Sequence, residues 1–396
     1  MENIEPSPEV LRQAILELQE PVIFQNIINN DLERNNWSRL SLEGLRDVLG
    51  DKPLPFRTGK NSRTKEPQWD LNCPTEALSI DEFLEKADKN HNWYYFDYKY
   101  MHQWFKDKPE VLSAVDWRSF GFEKTGEDST LWIGSKGAHT NCHQDSYGSN
   151  LIAQTHGRKQ WLLFPPDSGK ILQETRVPYE ESTIYSRLNF FCPSTYEEDC
   201  LLKIERGPMR VVLTPGDVLF VPRGWWHFVE SLEVSVSVNV WLPLASDCQN
   251  RLREALVKLI IERIGKGLPA VREDVPYRLE EILELIEKCI SDCEKLREEP
   301  PEEMIHKKIR KTPWTPPDLS REFKNFVKLG NYLGREELRL FLHQQRHRFP
   351  VCENEKIQES TVEYLNRDEN ILKKITDTLC HSEIITRVVD TLLKKD

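Results

Sequence analysis

The sequence predicts a mainly β protein with α-helices at both ends, an antiparallel sandwich or jelly roll followed by a helical C-terminal region. Three observations predict it. Between residues 92 and 244, short aromatic and β-branched runs alternate with turns containing Gly or Pro. The stretch "EVSVSVNVWLPL" (233–244) alternates apolar and polar residues, the period-2 mark of a strand with two unlike faces. After Leu244 the apolar period switches to that of a helix.

Along the chain, "PEVLRQAILEL" (8–18) reads as an amphipathic helix, with Ser7 as N-cap and Pro8 at the first helical position. "PVIFQNII" (21–28) reads as a strand, and "SLEGLRDVLG" (41–50) as a helix capped by Ser41 and stopped by Gly50. "NWYYFDYKY" (92–100) and "STLWIGS" (129–135) are strands. "NLIAQT" (150–155) and "KQWLLFPP" (159–166) form a hairpin across "HGR". "MRVVLTPGDVLFVPRGWWHFVE" (209–230) holds three strands separated by P-G-D and R-G turns. Beyond them Leu252, Leu256, Leu259 and Ile260 mark one helix, ending at "GKG" (265–267). Leu279, Ile282, Leu283, Ile286 and Ile290 mark a second. Prolines in "TPWTPPD" (312–318) break the pattern, and two or three helices follow, the last carrying Ile384, Ile385, Val388, Val389 and Leu392. The chain of 396 residues thus divides into a β domain, 1–245 with core motifs at about 90–245, and a helical region, 246–396.

A net charge of −11 argues against a nucleic-acid surface and mildly favours basic or neutral substrates. The basic run "HKKIRK" (306–311) reads as a solvated face in preference to a localisation signal. The nine cysteines form no C-x-x-C pair, which suits reduced thiols; Cys289 and Cys293 read as helix-face residues. "MENIEPSPEV" lacks the basic start and apolar stretch of a signal peptide, and no run approaches the roughly 20 apolar residues of a membrane span. The expected setting is soluble and cytoplasmic, with the nucleus also open to it.

The chemistry is in "NCHQDSYGSN" (141–150). A bare His-x-Asp is poor evidence, but His143 and Asp145 at i and i+2 on a strand point the same way. An oxygenase iron needs two neutral imidazoles and one carboxylate, with three adjacent positions left open. His227 in "GWWHFVE" supplies the third ligand from a later strand. His139 competes poorly, four residues before His143 at a helical spacing, and His156 falls in the hairpin turn. A dicarboxylate cosubstrate would need a buried cation with polar donors beside it. Lys159 begins an otherwise apolar strand, where a lysine is usually solvated. Thr140, Asn150 and Asn239 add donors, and Ser235 and Ser237 share the parity of Asn239. Trp225, Trp226 and Trp241 could wall the site, although core packing explains at least two of them.

"LWIGSKGAHTNCHQDSYGSNLIAQTHGRKQWLLFPP" (131–166) and "LTPGDVLFVPRGWWHFVE" (213–230), followed by "VSVSVNVW", resemble the JmjC-domain oxygenases, in particular those like the hypoxia-inducible-factor asparaginyl hydroxylase. "DYKY", "DSYG", "VPYEES" and "PRGWWHFVES" are similar to the branch associated with a small heat-shock protein. The resemblance runs over residues 8–245 and is faint beyond. It implies a cupin-like double-stranded β-helix that uses Fe(II) and 2-oxoglutarate, with His143, Asp145 and His227 as metal ligands. It implies that Lys159 pairs with the distal carboxylate of 2-oxoglutarate, with Thr140 beside it and Asn150 and Asn239 near the cosubstrate. Tyr95 would also contact it, although Tyr94 is an equally admissible alignment. The His-x-Asp form, as opposed to the His-x-Glu of many histone demethylases, points to hydroxylation of a protein side chain. The same resemblance implies a competing role in the stress response: a non-catalytic interaction protein that binds a small heat-shock protein or another partner. Its helical region would dock that partner or a second copy in a homodimer.

Overall fold

The structure, a computed structural model, describes residues 5–28, 37–265, 268, 278–298, 312–349 and 367–394. The basic run 306–311 lies outside the described residues. In chain order the first strands are β1 (Val22–Phe24), β2 (Leu54–Lys60), β3 (Thr75–Leu78), β4 (Asn92–Tyr100), β5 (Ser129–Gly134), β6 (His139–Asp145), β7 (Ser149–His156) and β8 (Lys159–Phe164). There follow β9 (Glu174–Thr175), β10 (Thr183–Ser186), β11 (Met209–Leu213), β12 (Val218–Val221), β13 (Trp226–Ser231), β14 (Ser235–Leu242), β15 (Val327–Lys328) and β16 (Asn331–Tyr332). They pair antiparallel into two sheets, in the orders β15-β1-β12-β7-β14-β5-β4-β2-β3 and β16-β11-β8-β13-β6-β10-β9.

At the centre, β5-β14-β7-β12 and β6-β13-β8-β11 form two four-stranded layers. The chain alternates between the layers strand by strand, except where residues 165–208 intervene between β8 and β11. That alternation is the jelly roll, or double-stranded β-helix, expected from the turn-separated strands. The hairpin expected across "HGR" does not form: β7 pairs with β12 and β14, β8 with β11 and β13, and the turn carries the chain from one layer to the other. Gly157 takes φ +60 there against the Val234 carbonyl, where a Cβ would sit 2.0 Å from the oxygen.

The helices are α1 (Pro8–Glu17), α2 (Leu42–Leu49), α3 (Ile80–Asp88), α4 (Met101–Trp104), α5 (Pro109–Leu112), α6 (Thr195–Leu201) and α7 (Asp247–Ile260). After them come α8 (Leu279–Glu298), α9 (Pro316–Glu322), α10 (Arg335–His347), α11 (Arg367–Leu379) and α12 (Ser382–Leu392). Ser7 and Ser41 cap α1 and α2, each side chain accepting a first-turn N–H, and Gly50 ends α2 at φ +53. None of the described helices is long and apolar enough to cross a membrane.

Three further local expectations are corrected. The strand at 21–28 stops at Phe24, because Asn26 adopts φ +62. The prolines at 312–318 start a helix: Pro316 takes the first position of α9, and Thr315 accepts the N–H of Asp318. Residues 327–332, within the stretch read as helical, form β15 on β1 and β16 on β11, so each sheet gains an edge strand from the far end of the chain.

The largest core lies against the nine-stranded sheet, where Leu11, Leu45, Phe83 and Trp117 from the N-terminal half meet Trp314 and Phe323. A second cluster covers the seven-stranded sheet and takes in Leu338, Phe341 and Leu342 of α10. Between the layers, Trp161, Leu163, Val211 and Leu219 fill one end of the barrel. In the C-terminal region α7, α8 and α12 bury Leu252, Ile282, Cys289, Cys293 and Val389 against one another. A further cluster joins Val257 and Ile385 to Val177 of the β domain.

Because Leu342 is fully buried and Leu340, on the same helix, is 59% exposed, the two should separate in a denaturation experiment. Leu342→Ala is expected to lower the unfolding free energy by about 3 kcal/mol, and Leu340→Ala by under about 0.5 kcal/mol. Urea titrations of both variants check the pair.

Candidate metal centre

Strands β6 and β13 lie side by side, and their register decides which side chains share a face. Gln144 pairs with Trp226 and His143 with His227; further along, Thr140 pairs with Val229 and His139 with Glu230. Phe228 therefore stands opposite two residues, Asn141 and Cys142, in a β-bulge. In an unbroken strand Thr140 and His143 would point to opposite faces. The extra residue brings Thr140, His143 and Asp145 onto one face with His227 and Val229, and all five line a cavity of about 430 Å³. His139 is turned the other way, stacked on Phe191 at 4.2 Å. Its exclusion stands, but on different grounds: i and i+4 share a face in a regular strand, and it is the bulge that separates His139 from His143.

His143, Asp145 and His227 each offer a ligand atom, and the three atoms lie within 4.8 Å of one another. The two imidazole centroids are 4.1 Å apart, and His143 Nε2 is 3.6 Å from Asp145 Oδ1. His143 Nδ1 lies 2.8 Å from the Asn141 carbonyl, and His227 Nδ1 lies 3.0 Å from that of Trp225. A carbonyl only accepts, so each Nδ1 carries a proton and each Nε2 is the ring atom left to face a metal. Burial, reinforced by neighbouring His143, pushes His227 down to about 4, which keeps it in the neutral ligand form at neutral pH. Trp241 Nε1 donates to Asp145 Oδ2 at 3.2 Å and fixes the carboxylate. Two imidazoles and one oriented carboxylate on a single face are a donor set that fits iron in an oxygenase.

Lys159 lies in the same cavity. Its place at a strand start would usually leave it in solvent, yet it is 2% exposed. Its Nζ donates to Ser237 Oγ at 2.7 Å and Tyr95 Oη at 3.4 Å, and it lies over the Tyr95 ring. Among the described residues no carboxylate reaches it within 4.0 Å. Burial accordingly pushes its ammonium down to about 7, with Asp97 only partly opposing. Thr140 is hydrogen-bonded to Tyr95. Asn239 Nδ2 donates to Asn150 Oδ1 at 2.9 Å, while Asn239 Oδ1 accepts from Trp132 Nε1 at 2.7 Å.

The cavity thus brings together all the expected residues: His143, Asp145, His227, Thr140, Lys159, Asn150, Asn239 and Tyr95. Tyr94 belongs to the large core on the other side of its sheet. Ser237 lines the cavity, whereas Ser235 is bonded to Ser231. Of the three tryptophans only Trp241 lines it; Trp225 and Trp226 are core. Sequence reasoning missed Trp161, 5.7 Å from the His227 ring, and Trp132. Trp161 could have been found, since it is two residues from Lys159 on one strand. Tyr98 could not: it sits at φ +55 where the β4–β5 register shifts, a conformation with no sequence signal. Nor was it foreseen that α7 contributes Asp247 and Arg251 to the lining.

Two expectations follow. Trp241→Phe keeps the ring but removes the bond to Asp145, so metal affinity should fall about tenfold in a Co(II) titration. The second concerns pH. His227 and His139 are held at about 4 and about 3 by burial, below the roughly 6.5 of an unfolded histidine. Between these values the unfolded chain binds protons that the folded chain does not, so stability is full above about pH 6.5 and is lost as pH falls through that window. The urea midpoint of the metal-free protein should therefore fall steadily from pH 7 to pH 4, and a flat midpoint would contradict the buried, neutral imidazoles.

Comparison with known proteins agrees with this geometry. Residues 8–246 match the family model of the Cupin-like domain. The chain is 41% identical over 276 residues to HSPB1-associated protein 1 of Rattus norvegicus, covering 66% of this chain and 56% of that protein. It is 41% identical over 271 residues to the HSPB1-associated protein 1 homolog of Danio rerio, covering 64% and 59%. It is 29% identical over 252 residues to lysine-specific demethylase 8 of Xenopus tropicalis, covering 60% and 51%. The chain spans little more than half the length of the curated relatives it matches. With a jelly roll beneath the matched residues and a His-Asp-His cluster inside it, this chain belongs to the Cupin-like, JmjC-type domain family.

Proposed function

We propose that this chain is an Fe(II)- and 2-oxoglutarate-dependent oxygenase that hydroxylates a protein side chain. One observation carries the reading: a single cavity holds both the His-Asp-His cluster and a buried lysine that has no carboxylate partner among the described residues. Iron and 2-oxoglutarate together would supply the oxidising power to insert oxygen into a C–H bond. The chain's own residues do the rest. His143, Asp145 and His227 would hold the ion, all three on the face that lines the cavity. Lys159, half-discharged by burial, regains its full charge when a carboxylate enters, with the hydroxyls of Ser237, Tyr95 and Thr140 arranged around it. Trp132, Trp161 and Trp241 wall the cavity and exclude water from the oxidising centre.

Away from the metal cluster the cavity lining carries more acidic than basic groups, with Arg251 and Lys159 its cations. Asp70, Asp97 and Glu180 are among the acids, and the buried Arg57 pairs with Asp70 at 2.8 Å and Asp97 at 2.7 Å. Burial raises Asp70 to about 6, which leaves it mostly ionised at neutral pH. Such a rim favours a cationic or neutral side chain over an acidic one. Hydroxylation is preferred to demethylation on the His-x-Asp form of the cluster. The relatives named for association with HSPB1 motivate a second reading, in which the chain binds a small heat-shock protein with or without catalysis. Cytoplasm, with access to the nucleus, is the compartment proposed for either role.

The test is anaerobic titration of Fe(II) and 2-oxoglutarate, read at the charge-transfer band of their chelate. Wild type should show the band, Asp145→Ala should abolish it, and Lys159→Ala should weaken 2-oxoglutarate binding about tenfold or more. A wild type without the band in excess of both ligands would sink the oxygenase reading. Small heat-shock protein binding that persists in Asp145→Ala would then leave the second reading standing.

A further inference from the structure

We propose that Glu254, on α7 outside the jelly roll, is a positioning residue that holds the Asp145 end of β6 and the facing cavity wall in register. On this view the helical region is part of the site. The inference rests on the oxygenase reading for its functional meaning and on geometry for its substance.

Glu254 is buried, and each of its oxygens accepts two hydrogen bonds. Oε1 accepts from Ser146 Oγ at 2.7 Å and from Arg176 Nη1 at 3.0 Å. Oε2 accepts from the Ser182 backbone N–H at 2.9 Å and from Arg176 Nη2 at 2.5 Å. Such a carboxylate is saturated and cannot move without breaking several bonds together.

Its partners are not scattered. Ser146 directly follows the metal ligand Asp145, and its N–H donates to the Ser182 carbonyl at 2.9 Å. Asp145 itself pairs with Thr183 in the β6–β10 ladder. Glu254 therefore bridges the two strands at the rung beside the ligand. Ser182 lines the cavity and adopts φ +62, a left-handed conformation that a serine holds only where its surroundings impose it. The bond from its N–H to Glu254 is one such constraint. Asp247, about two turns earlier on α7, accepts the Gly148 N–H through both oxygens at 3.1 Å, and so holds the other end of the same loop.

The experiment compares wild type with Glu254→Gln and with the double variant Arg176→Met/Glu254→Leu. The double variant removes the ion pair without leaving a buried charge unmatched, so it separates positioning from bulk stability. Three quantities are read: the thermal midpoint, the Co(II) dissociation constant, and hydrogen exchange at the Ser146 and Ser182 amides of the metal-free protein. The expected result for the double variant is a midpoint near that of wild type. Co(II) affinity should be about tenfold weaker, and exchange at those two amides at least about tenfold faster, with β8 amides unchanged. Unchanged affinity and unchanged exchange in a folded variant would overturn the proposal. Should both variants fail to fold, Ser146→Ala removes one contact only and is read the same way, with a several-fold loss of Co(II) affinity expected. If wild type lacks the iron–2-oxoglutarate band, the oxygenase reading fails, while the exchange data still decide whether Glu254 orders the site.

Discussion

The bulge of Asn141 and Cys142 opposite Phe228 is the constraint on which the site depends. Strand geometry allows a polar constellation on one face only at even spacing. Thr140 and His143 are three apart, so without the inserted residue either the ligand pair or the hydroxyl would face the outer core of Phe191 and Phe228. The same insertion buries His139 there, where it can be neither ligand nor base. One extra residue thus selects which histidines join the cavity and which become packing. Trp161 and Lys159, at even spacing on the unbroken β8, need no such device.

Much of the β architecture was legible because its signals are local. Strict alternation in 233–244, the "HGR" turn and the P-G-D and R-G turns each depend on neighbouring residues alone, and β7, β8 and β11 to β14 appear where those signals place them. Yet β7 and β8 lie in opposite layers and not in a hairpin, because pairing is decided by distant strands. His143 and Asp145 were legible for the same reason, since two side chains at i and i+2 need only a strand. What escaped the sequence was set by distant pairing. The bulge exists only because β13 pairs across it. Lys159 reads as a solvated strand end because Tyr95, Trp132 and Ser237, which enclose it, come from three other strands. Strands β15 and β16 are two residues each and carry no periodicity; they form because β1 and β11 offer unpaired edges.

The division between β domain and helical region also looks different in structure and in sequence. Composition changes sharply after Leu244, yet α7 sends Asp247, Arg251 and Glu254 back to the cavity and its rim. α10 covers the outer face of the smaller sheet and places Gln345 against the buried Glu230. A boundary drawn on periodicity marks where the secondary structure changes, which need not be where the site ends. The apolar faces of α7, α8 and α12 are largely matched to one another, leaving Ile384, Val388 and Leu392 partly exposed along α12.

Several unfavourable local terms meet in this cavity. Among the described residues no carboxylate pairs with the buried Lys159, and two imidazoles are held 4.1 Å apart. Tyr98 and Ser182, both lining residues, hold left-handed backbone conformations that neither side chain favours. Each costs on the order of 1 kcal/mol or more. A fold selected for stability alone would replace them, with a leucine for the lysine and glycines at the strained positions. Two of these terms share a remedy of definite chemistry: a divalent cation between the histidines and an anionic group against the lysine. On the proposed reading a cation and a carboxylate would relieve these two terms together, and their binding would add to the stability of the whole chain by mass action.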